Sequence, residues 1–408
     1  MKEIGMRILL VTNHFYPEEF KCNSMAFELQ RRGHEVTVLT GIPDYPKGEY
    51  FEGYGVFKRR REKVNGVKVI RAYIFPRGKA GKIRLVLNYI SITLSQAFDA
   101  FFLGLFKRFD RVLVYESSPV MVGIAAGIVS RMQRIPMLFW CTDLWPESLS
   151  AAGGISNPAI IGYFTRMVKR IYKNSTRILI TSEGFRQSIE EKGDFADKIV
   201  YFPQWADEPA DAAQVELPAL PEGFKVMFAG NIGEAQDFEH ILEAASLLKE
   251  EDVHFVILGD GRKRPWVDSY VREHSLERTV HVLGRFPAAT MPAFFAQTDL
   301  LLVALKDELI FNLTLPAKVQ AYMAAGKPII AMMNGEGPRV IAEAGCGMSV
   351  PAGDAKALAE RILEMKAMNG MDLAAMGDRG RAFCEKHFDL KHCIDHLEKL
   401  MTIEPETI

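Results

Sequence analysis

Short apolar runs rich in Val, Ile and Leu alternate with helical patterns along almost all of this 408-residue chain. Several runs lack polar alternation, which is typical of strands covered by helices on both faces of a parallel sheet. The first series of strands is predicted at 8–12, 35–40, 67–75, 111–115, 137–141, 177–181 and 199–202. The second is predicted at 226–229, 254–258, 280–283, 300–305, 329–332 and 348–350. Two successive series predict an α/β fold with two doubly wound domains.

A stretch without either period separates the two series. Residues 208–222 hold three prolines among alanines and acidic residues, a composition typical of an interdomain linker. We therefore expect a first domain over 1–207, a second over 223–385 and a C-terminal helix over 386–408, which could pack back on the first domain. Open sheets bind ligands at the carboxyl ends of their strands, so the expected site is the cleft between the domains.

The five cysteines are scattered, odd in number and form no CxxC pair. This pattern argues against a disulfide framework or a zinc site and favours a reducing compartment. The N-terminus leads directly into an apolar run without the pattern of a signal peptide, so we expect a cytoplasmic protein.

The net charge of −1 conceals an asymmetry between the two halves. Residues 1–207 carry 30 Lys and Arg against 20 Asp and Glu, whereas residues 208–408 carry 20 against 31. Eleven of the basic residues lie between Lys58 and Arg84, beside one Glu. A basic half favours an anionic partner, which is lipid, a phosphorylated acceptor or nucleic acid, or else forms a solvated face. No nucleic-acid-binding module is recognisable, so nucleic acid ranks last.

Residues 85–106 form one very apolar helical segment. Its length permits a membrane span, yet Asn88, Ser91, Ser95 and Asp99 recur at helical spacing as a narrow polar stripe. An Asp near the centre of a lone span costs ~2.5–3.5 kcal/mol on insertion scales. We therefore expect a buried helix of the first domain, with interfacial membrane contact beside the basic stretch as the second interpretation.

The segment 315–331 (LPAKVQAYMAAGKPIIA) is predicted to be a short helix followed by a buried strand. Pro316 suits the first helical turn and Gly326 suits the position after the last one. The free N–H groups of such a helix point toward 312–314, and this end of a helix attracts phosphate.

Glycine-containing turns end three predicted strands of the second half. They are 228–233 (FAGNIG), 258–261 (LGDG) and 284–286 (GRF). Glycine lets the backbone come close to a ligand, but plain tight turns have the same composition. Asp260 could act in binding or only accept from backbone N–H groups, and Arg285 could meet a phosphate or lie on the surface.

Two segments of the first half follow strands and carry polar and aromatic side chains. Residues 14–17 (HFYP) follow the first strand, and residues 140–147 (WCTDLWPE) bring Asp143 and Glu147 to the same sheet edge. Carboxylates accept from sugar hydroxyls and tryptophan faces suit sugar rings. The alternative is a structural cap with buried tryptophans.

Three segments of the chain resemble the glycosyltransferases of family 4. They are 32–40 (RGHEVTVLT), 257–261 (ILGDG) and 320–331 (QAYMAAGKPIIA). Residues 143–148 (DLWPES) and 203–207 (PQWAD) further resemble a subgroup from O-antigen, capsule and colanic acid clusters, which includes N-acetyl-L-fucosamine transferases.

The resemblance implies the GT-B fold, in which two Rossmann-like domains bind the nucleotide sugar on the second domain and the acceptor on the first. It implies a retaining transfer without a bound metal or other cofactor. The residues implied to bind the nucleotide sugar are Gly230, Asn231, Gly259, Asp260, Gly284, Arg285, Phe286, Thr314, Leu315 and Gln320. Among them, backbone N–H groups of Thr314 and Leu315 are implied to meet the distal phosphate.

This chain departs from the family pattern at charged positions. Asn312 and Gln320 stand where the family commonly has two glutamates, and Gln320 can still bond a ribose hydroxyl. Asn231 and Gln236 stand where the family has an Arg and a Lys after the glycine loop.

Two further residues replace missing groups in this interpretation. Lys318 is the candidate for the missing diphosphate cation, with residues 262–264 (RKR) as alternatives. The family's mid-domain histidine is absent from the match, and Asp143 stands near its place.

The predicted catalytic residues are Asp143, Glu147 and Lys318. Lys318 and backbone N–H groups would stabilise the leaving diphosphate, which takes the proton of the acceptor hydroxyl. The predicted partners are a nucleotide sugar, with UDP preferred, and an undecaprenyl-diphosphate-linked saccharide at the inner face of the cell membrane. A nucleotide-sugar 2-epimerase of the same fold and a non-catalytic sugar-nucleotide-binding protein remain alternatives.

Overall fold

The computed structural model describes residues 5–78, 81–149, 157–206 and 217–402. The chain divides into two compact units, of which the first comprises residues up to Gln204 together with those from Leu390 onward. The second unit is Trp205–Asp389. The predicted linker falls largely on residues 207–216, outside the described part of the chain.

An eight-stranded sheet forms the first unit, in the order β3-β4-β2-β1-β5-β6-β7-β8. Its strands are β1 (Arg7–Thr12), β2 (Glu35–Gly41), β3 (Arg61–Val64), β4 (Val67–Ala72), β5 (Arg111–Glu116), β6 (Met137–Cys141), β7 (Arg177–Ile180) and β8 (Ile199–Tyr201). Its described helices before the second unit are α1 (Lys21–Arg31), α2 (Lys82–Phe106), α3 (Val122–Gln133), α4 (Pro158–Asn174) and α5 (Phe185–Glu190). The central strands are almost completely buried, which explains their continuous apolar runs.

The edge strand β3 is a departure from the predicted parallel sheet. It pairs with β4 in the antiparallel direction, with Val64 opposite Val67. Asn65 and Gly66 both have positive φ, which is the geometry of a type I′ hairpin turn. The Asn-Gly pair is the sequence signal for this hairpin, which the predicted strands did not include.

Helix α2 covers the segment that was predicted to be a buried helix of the first domain. Its inner face is buried through Asn88, Ile92, Gln96, Ala100 and Leu103. The outer face is exposed, and only 28% of the most apolar window is buried, so the prediction was right for one face alone. Among the described residues it is the one helix long and apolar enough to cross a membrane, by length and composition.

A six-stranded parallel sheet forms the second unit, in the order β11-β10-β9-β12-β13-β14. Its strands are β9 (Phe224–Ala229), β10 (Val253–Leu258), β11 (Val280–Gly284), β12 (Leu300–Ala304), β13 (Ile329–Met332) and β14 (Gly347–Val350). Its helices are α6 (Phe238–Leu247), α7 (Arg264–Glu273), α8 (Met291–Ala296), α9 (Leu309–Leu313), α10 (Ala317–Ala325), α11 (Glu336–Ala344), α12 (Ala355–Ala367) and α13 (Gly370–His387). The strand order reverses between β9 and β12, which creates the crevice where doubly wound sheets bind ligands.

The last helix, α14 (Leu390–Thr402), packs on the first unit. Its apolar face is buried, and its acidic face meets α1 and the turn after it. Glu398 accepts from Arg32 at 2.7 Å and contacts His34 at 2.8 Å. The chain therefore returns to its first domain, as the fold prediction allowed.

Candidate functional site

Three glycines interlock at the carboxyl edge of the second sheet. Gly230, Gly259 and Gly284 follow or end β9, β10 and β11, and each has a positive φ. The N–H of Gly230 donates to Leu258 O at 2.8 Å, and the N–H of Gly259 donates to Gly284 O at 2.7 Å. A Cβ on Gly259 would overlap the carbonyl of Gly230, so this glycine holds the turns together.

The amide side chains of the loop after β9 contact the backbone of this loop and of the neighbouring turn. Gln236 Oε1 accepts from the N–H of Gly233 at 3.2 Å. A Cβ on Gly233 would lie 2.5 Å from Asn231 Nδ2, and a Cβ on Gly261 would lie 2.7 Å from Asn231 Oδ1. The loop is therefore shaped by neutral groups at the two positions where a cation was expected.

Lys318 lies against this loop, although it follows it by almost 90 residues. A Cβ on Gly230 would come within 2.6 Å of Lys318 Cε and 2.9 Å of its Nζ. The ammonium also lies 3.6 Å from the centre of the Phe228 ring. Among the described residues it has no hydrogen bond or ion pair, and burial lowers its pKa to about 7. The structure thus brings together two residues that the sequence analysis had selected separately.

The beginning of α10 offers backbone donors beside Lys318. Within the described chain, no backbone or side-chain acceptor meets the N–H groups of Thr314, Leu315, Ala317 or Lys318. Pro316 precedes the helix with extended backbone, and Gly326 ends it in the left-handed region, as the sequence predicts. An anion at this helix end would meet free N–H groups and the positive end of the helix dipole.

Two of the alternative cations are paired with carboxylates, and Arg264 lies beside Gly284. Lys263 pairs with Glu239 and, at 3.3 Å, with Glu234. Arg264 lies 3.9 Å from Asp260 and 3.7 Å from Asp268. Arg262 is exposed. Lys318 is therefore the cation that the structure brings to Gly230.

Gln320 does not share the face of Lys318. The two residues are two positions apart, about 200° around a helix, and Gln320 is buried. Its carbonyl accepts from Cys384 Sγ at 3.7 Å, on the side where α10 packs against α13. The ribose contact implied for its side chain stays a prediction.

Tyr322, four residues after Lys318, supports the site and was missed by the sequence analysis. Its buried hydroxyl accepts from the N–H of Ala229 at 3.0 Å and lies 3.3 Å from Ala229 O. It therefore ties α10 to the end of β9. The i, i+4 spacing from Lys318 was the available signal.

Other predicted nucleotide-binding residues have local partners. Asp260 accepts from the N–H of Gly261 at 2.8 Å, so it stabilises its own turn. Asn312, which stands at a family glutamate position and was not predicted to bind the nucleotide, donates to Asp307 at 2.7 Å. The Phe286 ring packs on Phe294 at 4.7 Å, and Arg285 is exposed.

Asp143 follows β6 at the carboxyl edge of the first sheet. Its carboxylate accepts from Ser118 Oγ at 2.7 Å and from Ser148 Oγ. The completely buried Glu116 lies beside it and accepts from the backbone N–H groups of Thr142 and Asp143. Burial, and secondarily the charge of Asp143, raise the pKa of Glu116 well above its usual value. Both effects favour the protonated form of Glu116.

Glu147 and the two tryptophans form hydrogen bonds inside the first unit. One oxygen of Glu147 accepts from Ser188 at 2.7 Å and from Lys192 at 2.5 Å. Trp140 and Trp145 are each 2% exposed, and their indole N–H groups donate to Phe202 O and Ser118 Oγ. The sugar-stacking interpretation of these tryptophans was wrong, because their faces are packed inside the unit.

A buried polar cluster follows β1 and β2. Ligand-type atoms of His14, Glu18 and Asp44 lie within 4.8 Å of one another. Glu18 already accepts from His14 and from the N–H groups of Phe15 and Tyr45. These bonds explain the cluster as the anchor of the loops after the two strands.

Comparison with known proteins agrees with this architecture. Residues 21–205 match the family model described as "Glycosyl transferase 4-like domain", and residues 223–367 match that described as "Glycosyl transferases group 1". The probable glycosyltransferase WbjE of Pseudomonas aeruginosa is 29% identical, over 77% of this chain and 79% of that protein. The putative colanic acid biosynthesis glycosyl transferase WcaI of Escherichia coli K12 is 24% identical, over 79% and 82%.

Two solved structures show the same fold at low sequence identity. Alr3699/HepE of Anabaena in complex with UDP has a TM-score of 0.69 at 14% identity and covers 97% of this chain and 100% of its own. Sucrose-phosphate synthase of Thermosynechococcus elongatus has a TM-score of 0.70 at 15% identity, with 97% and 98% covered. The chain therefore belongs to the family 4 glycosyltransferases of the GT-B fold.

Proposed function

We propose that this glycosyltransferase moves a sugar from a UDP-linked donor to an undecaprenyl-diphosphate-linked saccharide in surface polysaccharide synthesis. The proposed sugar is an N-acetylated deoxyhexosamine, and the proposed outcome at the anomeric carbon is retention. Relatives named as putative colanic acid biosynthesis glycosyltransferases support the pathway class, and the HepE complexes with UDP and UDP-glucose support the nucleotide. The cytoplasmic side of the membrane is the proposed location.

The observation that carries the donor site is the Lys318 ammonium between Gly230 and the start of α10. A cation that has no carboxylate partner in the described part of the chain, beside N–H groups that are free there too, is arranged to receive a diphosphate. Gly230 is required here because a side chain would occupy the place of the lysine. In this arrangement the N–H groups of Thr314 and Leu315 bind the distal phosphate.

The proposed reaction proceeds on one face of the sugar. The bond from the anomeric carbon to the β-phosphate oxygen breaks while a bond to the acceptor oxygen forms. The departing phosphate takes the proton of the acceptor hydroxyl, so the protein need not supply a base. Lys318 and the α10 donors oppose the charge that grows on the diphosphate.

Asp143 is the proposed positioning group for a sugar in the first unit. Ser118 and Ser148 fix its carboxylate through hydrogen bonds from their hydroxyls. An anchored carboxylate can accept from a sugar hydroxyl without losing side-chain freedom on binding. Because Lys192 already holds Glu147, we assign Glu147 to the support of this loop rather than to chemistry.

A thermal-shift panel tests the donor. UDP and UDP-N-acetylhexosamines are expected to raise the melting temperature, and ligand at 100 times its Kd adds about 2.7 kcal/mol. GDP and GDP-mannose are expected to have at least tenfold weaker effects. Equal stabilisation by UDP and GDP would contradict the nucleotide assignment.

Lys318→Ala tests the diphosphate cation. Turnover is expected to fall at least about tenfold, or ~1.4 kcal/mol, because the variant cannot oppose the charge of the leaving group. Lys356→Ala, at an exposed lysine of α12, is the matched control. Unchanged turnover in Lys318→Ala would remove this residue from the mechanism.

The anomeric configuration of the product tests retention. NMR of the purified product is expected to show the configuration of the donor sugar. An epimer formed from UDP-GlcNAc alone, without acceptor, would instead identify a 2-epimerase.

A further inference from the structure

The outer face of α2 is an apolar stripe on the surface of the first unit. It comprises Leu87, Ile90, Leu94, Phe98, Phe101 and Leu105, which recur three or four residues apart, with Ile83 and Phe106 at its ends. All are exposed, Leu94 by 66% and Phe98 by 63%. A continuous apolar stripe of this length exceeds the scattered apolar residues of an ordinary surface.

Cationic residues surround the stripe. Arg84 lies at the N-terminal end of α2, and Lys107 and Arg108 follow its C-terminal end, all exposed. Phe57 is 97% exposed and is followed by the exposed Lys58 and Arg59.

This basic turn is held next to the helix. Arg60, the following residue, contacts Asp99 of α2 at 3.9 Å and donates to Val56 O at 3.2 Å. No ion pair joins Lys58, Lys107 or Arg108 to a described residue. These three side chains therefore stay without an ion pair in the described part of the chain, whereas Arg60 and Lys68 nearby are paired with carboxylates.

A groove on the flank of α2 combines the two chemistries. Its lining includes Phe102 and Phe106 together with Arg61, Lys68 and Lys107. The carboxylates of Glu62 and Asp99 also line it, and they pair with Arg71 and Arg60. Burial, and the charges of Lys68 and Arg61, lower the pKa of Lys107. Apolar rings beside crowded cations suit a molecule with an acyl chain and an anionic head group.

The inner face of α2 shows why the helix would lie on a membrane rather than cross it. Gln96 donates to Thr12 O at 2.7 Å, and Asn88 donates to Phe75 O at 2.7 Å. Ser95 donates to Tyr73 O. These bonds fasten the polar stripe of α2 to the sheet, and a span would break them in a medium without water.

A second copy of the chain fits the surface less well than lipid does. Both ends of α2 are positive, so pairing two α2 faces in either direction brings like charges together. An anionic bilayer neutralises both ends at once.

We propose that the outer face of α2, with Phe57 and the surrounding cations, lies flat in the interface of an anionic lipid bilayer. The apolar stripe enters the boundary between head groups and acyl chains, and the cations meet lipid phosphates. This inference is independent of the proposed donor, because its test measures lipid binding alone.

Vesicle sedimentation of the full chain tests the surface. Binding to vesicles of phosphatidylcholine with 30% phosphatidylglycerol, a composition chosen as roughly that of an anionic bilayer, is expected to exceed binding to pure phosphatidylcholine at least about tenfold. Added salt at roughly 0.5 M is expected to weaken it. No binding, or equal binding to both vesicles, would overturn the proposal.

Substitutions separate the stripe from the rest of the surface. Leu94→Gln with Phe98→Gln is expected to weaken vesicle binding at least about tenfold. Lys107→Gln with Arg108→Gln is expected to weaken it by a similar factor on anionic vesicles only. The matched controls are Leu247→Gln with Met371→Gln, which are exposed apolar residues of the second unit, and Lys356→Gln. Equal losses in the controls would overturn the proposal.

A third variant keeps the test valid if the glutamine variants unfold. Leu94→Trp leaves the stripe apolar and adds a fluorescent side chain to it. Lipids with brominated acyl chains are expected to quench the tryptophan fluorescence of this variant more than that of the wild type. Carbonate extraction is expected to release the protein, and sedimentation velocity is expected to give the same mass for wild type and stripe variants. Resistance to carbonate would identify a span, and a mass halved by the stripe variants would identify a second copy; either overturns the proposal.

Discussion

Burial disfavours the charged form of Lys318, and a bound diphosphate would favour that form again. In the free protein, burial under the loop of Gly230 lowers its pKa to about 7. The charged fraction therefore rises as the pH falls from 9 to 6. A UDP-sugar keeps its two phosphate charges across this range, so its affinity reports on the lysine.

We predict that UDP-sugar affinity increases as the pH is lowered, by at most about tenfold per unit above pH 7, and levels off below it. Isothermal titration calorimetry between pH 6 and 9 measures this. Lys318→Met is expected to bind weakly with a flat profile. A wild-type affinity that rises with pH would contradict the role of an ammonium.

The same pKa predicts a change in stability of defined sign. Between pH 7 and 10 the unfolded chain holds a proton on Lys318 that the folded protein lacks, so stability from this group rises with pH. The slope is at most about 1.4 kcal/mol per unit. Urea unfolding of Lys318→Met is expected to lack this slope and to show a gain over wild type below pH 7. A free energy of unfolding that falls more steeply at low pH in the variant than in the wild type would contradict this prediction.

The Tyr322 hydroxyl connects α10 to the end of β9, the two elements that carry Lys318 and the loop of Gly230. Tyr322→Phe is expected to lower the free energy of unfolding by ~1–3 kcal/mol, because it leaves the N–H of Ala229 without its partner. It should also weaken UDP binding, since α10 loses its tie to β9. Urea unfolding and calorimetry measure the two effects, and Tyr163→Phe, at an exposed tyrosine of α4, is the control. A variant that loses stability but binds UDP normally would limit Tyr322 to a structural role.

The individual elements differ in how far their sequence determines them. Buried parallel strands such as β1 and β12 are recognisable because both of their faces need apolar residues. α10 is recognisable from Pro316 and Gly326, which suit the two ends of a helix. The five-residue α9 escaped prediction because it is too short to show a period.

The candidate site was predictable where backbone geometry selects a residue type, as at Gly230 and Gly259. It was not predictable where the direction of a side chain decides whether the residue faces the site. Gln320 matched a motif but lies on the far side of α10, whereas Tyr322 was overlooked. The exposed face of α2 could not be inferred either, because a spanning helix and a half-buried one have the same composition.

The return of α14 to the first unit predicts an element-scale effect. Leu397 is 1% exposed on the face of α14 that packs on this unit. Leu397→Ala is expected to lower the free energy of unfolding by ~2–5 kcal/mol, from lost burial and the cavity left behind. Urea unfolding measures it, with Leu309→Ala at an exposed position as the control. Equal small losses in both variants would mean that α14 adds little to the first unit.

At the scale of the whole molecule, the cysteines divide between the two units. Cys22, Cys141 and Cys393 are buried in the first, and Cys346 and Cys384 in the second. Burial raises the pKa of Cys346 to about 12 and of Cys384 to about 11, so their thiols react only after the second unit opens. Both pack in the apolar cluster beneath α10, with Val319 and Met323.

Alkylation of these thiols can therefore show which unit binds the nucleotide. UDP at 100 times its Kd stabilises the unit that binds it by about 2.7 kcal/mol and should slow labelling of Cys346 and Cys384 about 100-fold. The other three cysteines should react at unchanged rates, since UDP stabilises only the unit that holds it. Peptide mass spectrometry measures each rate, and labelling in denaturant supplies the fully reactive control. Protection of the first-unit cysteines alone would place the nucleotide there and remove Lys318 and Gly230 from its site.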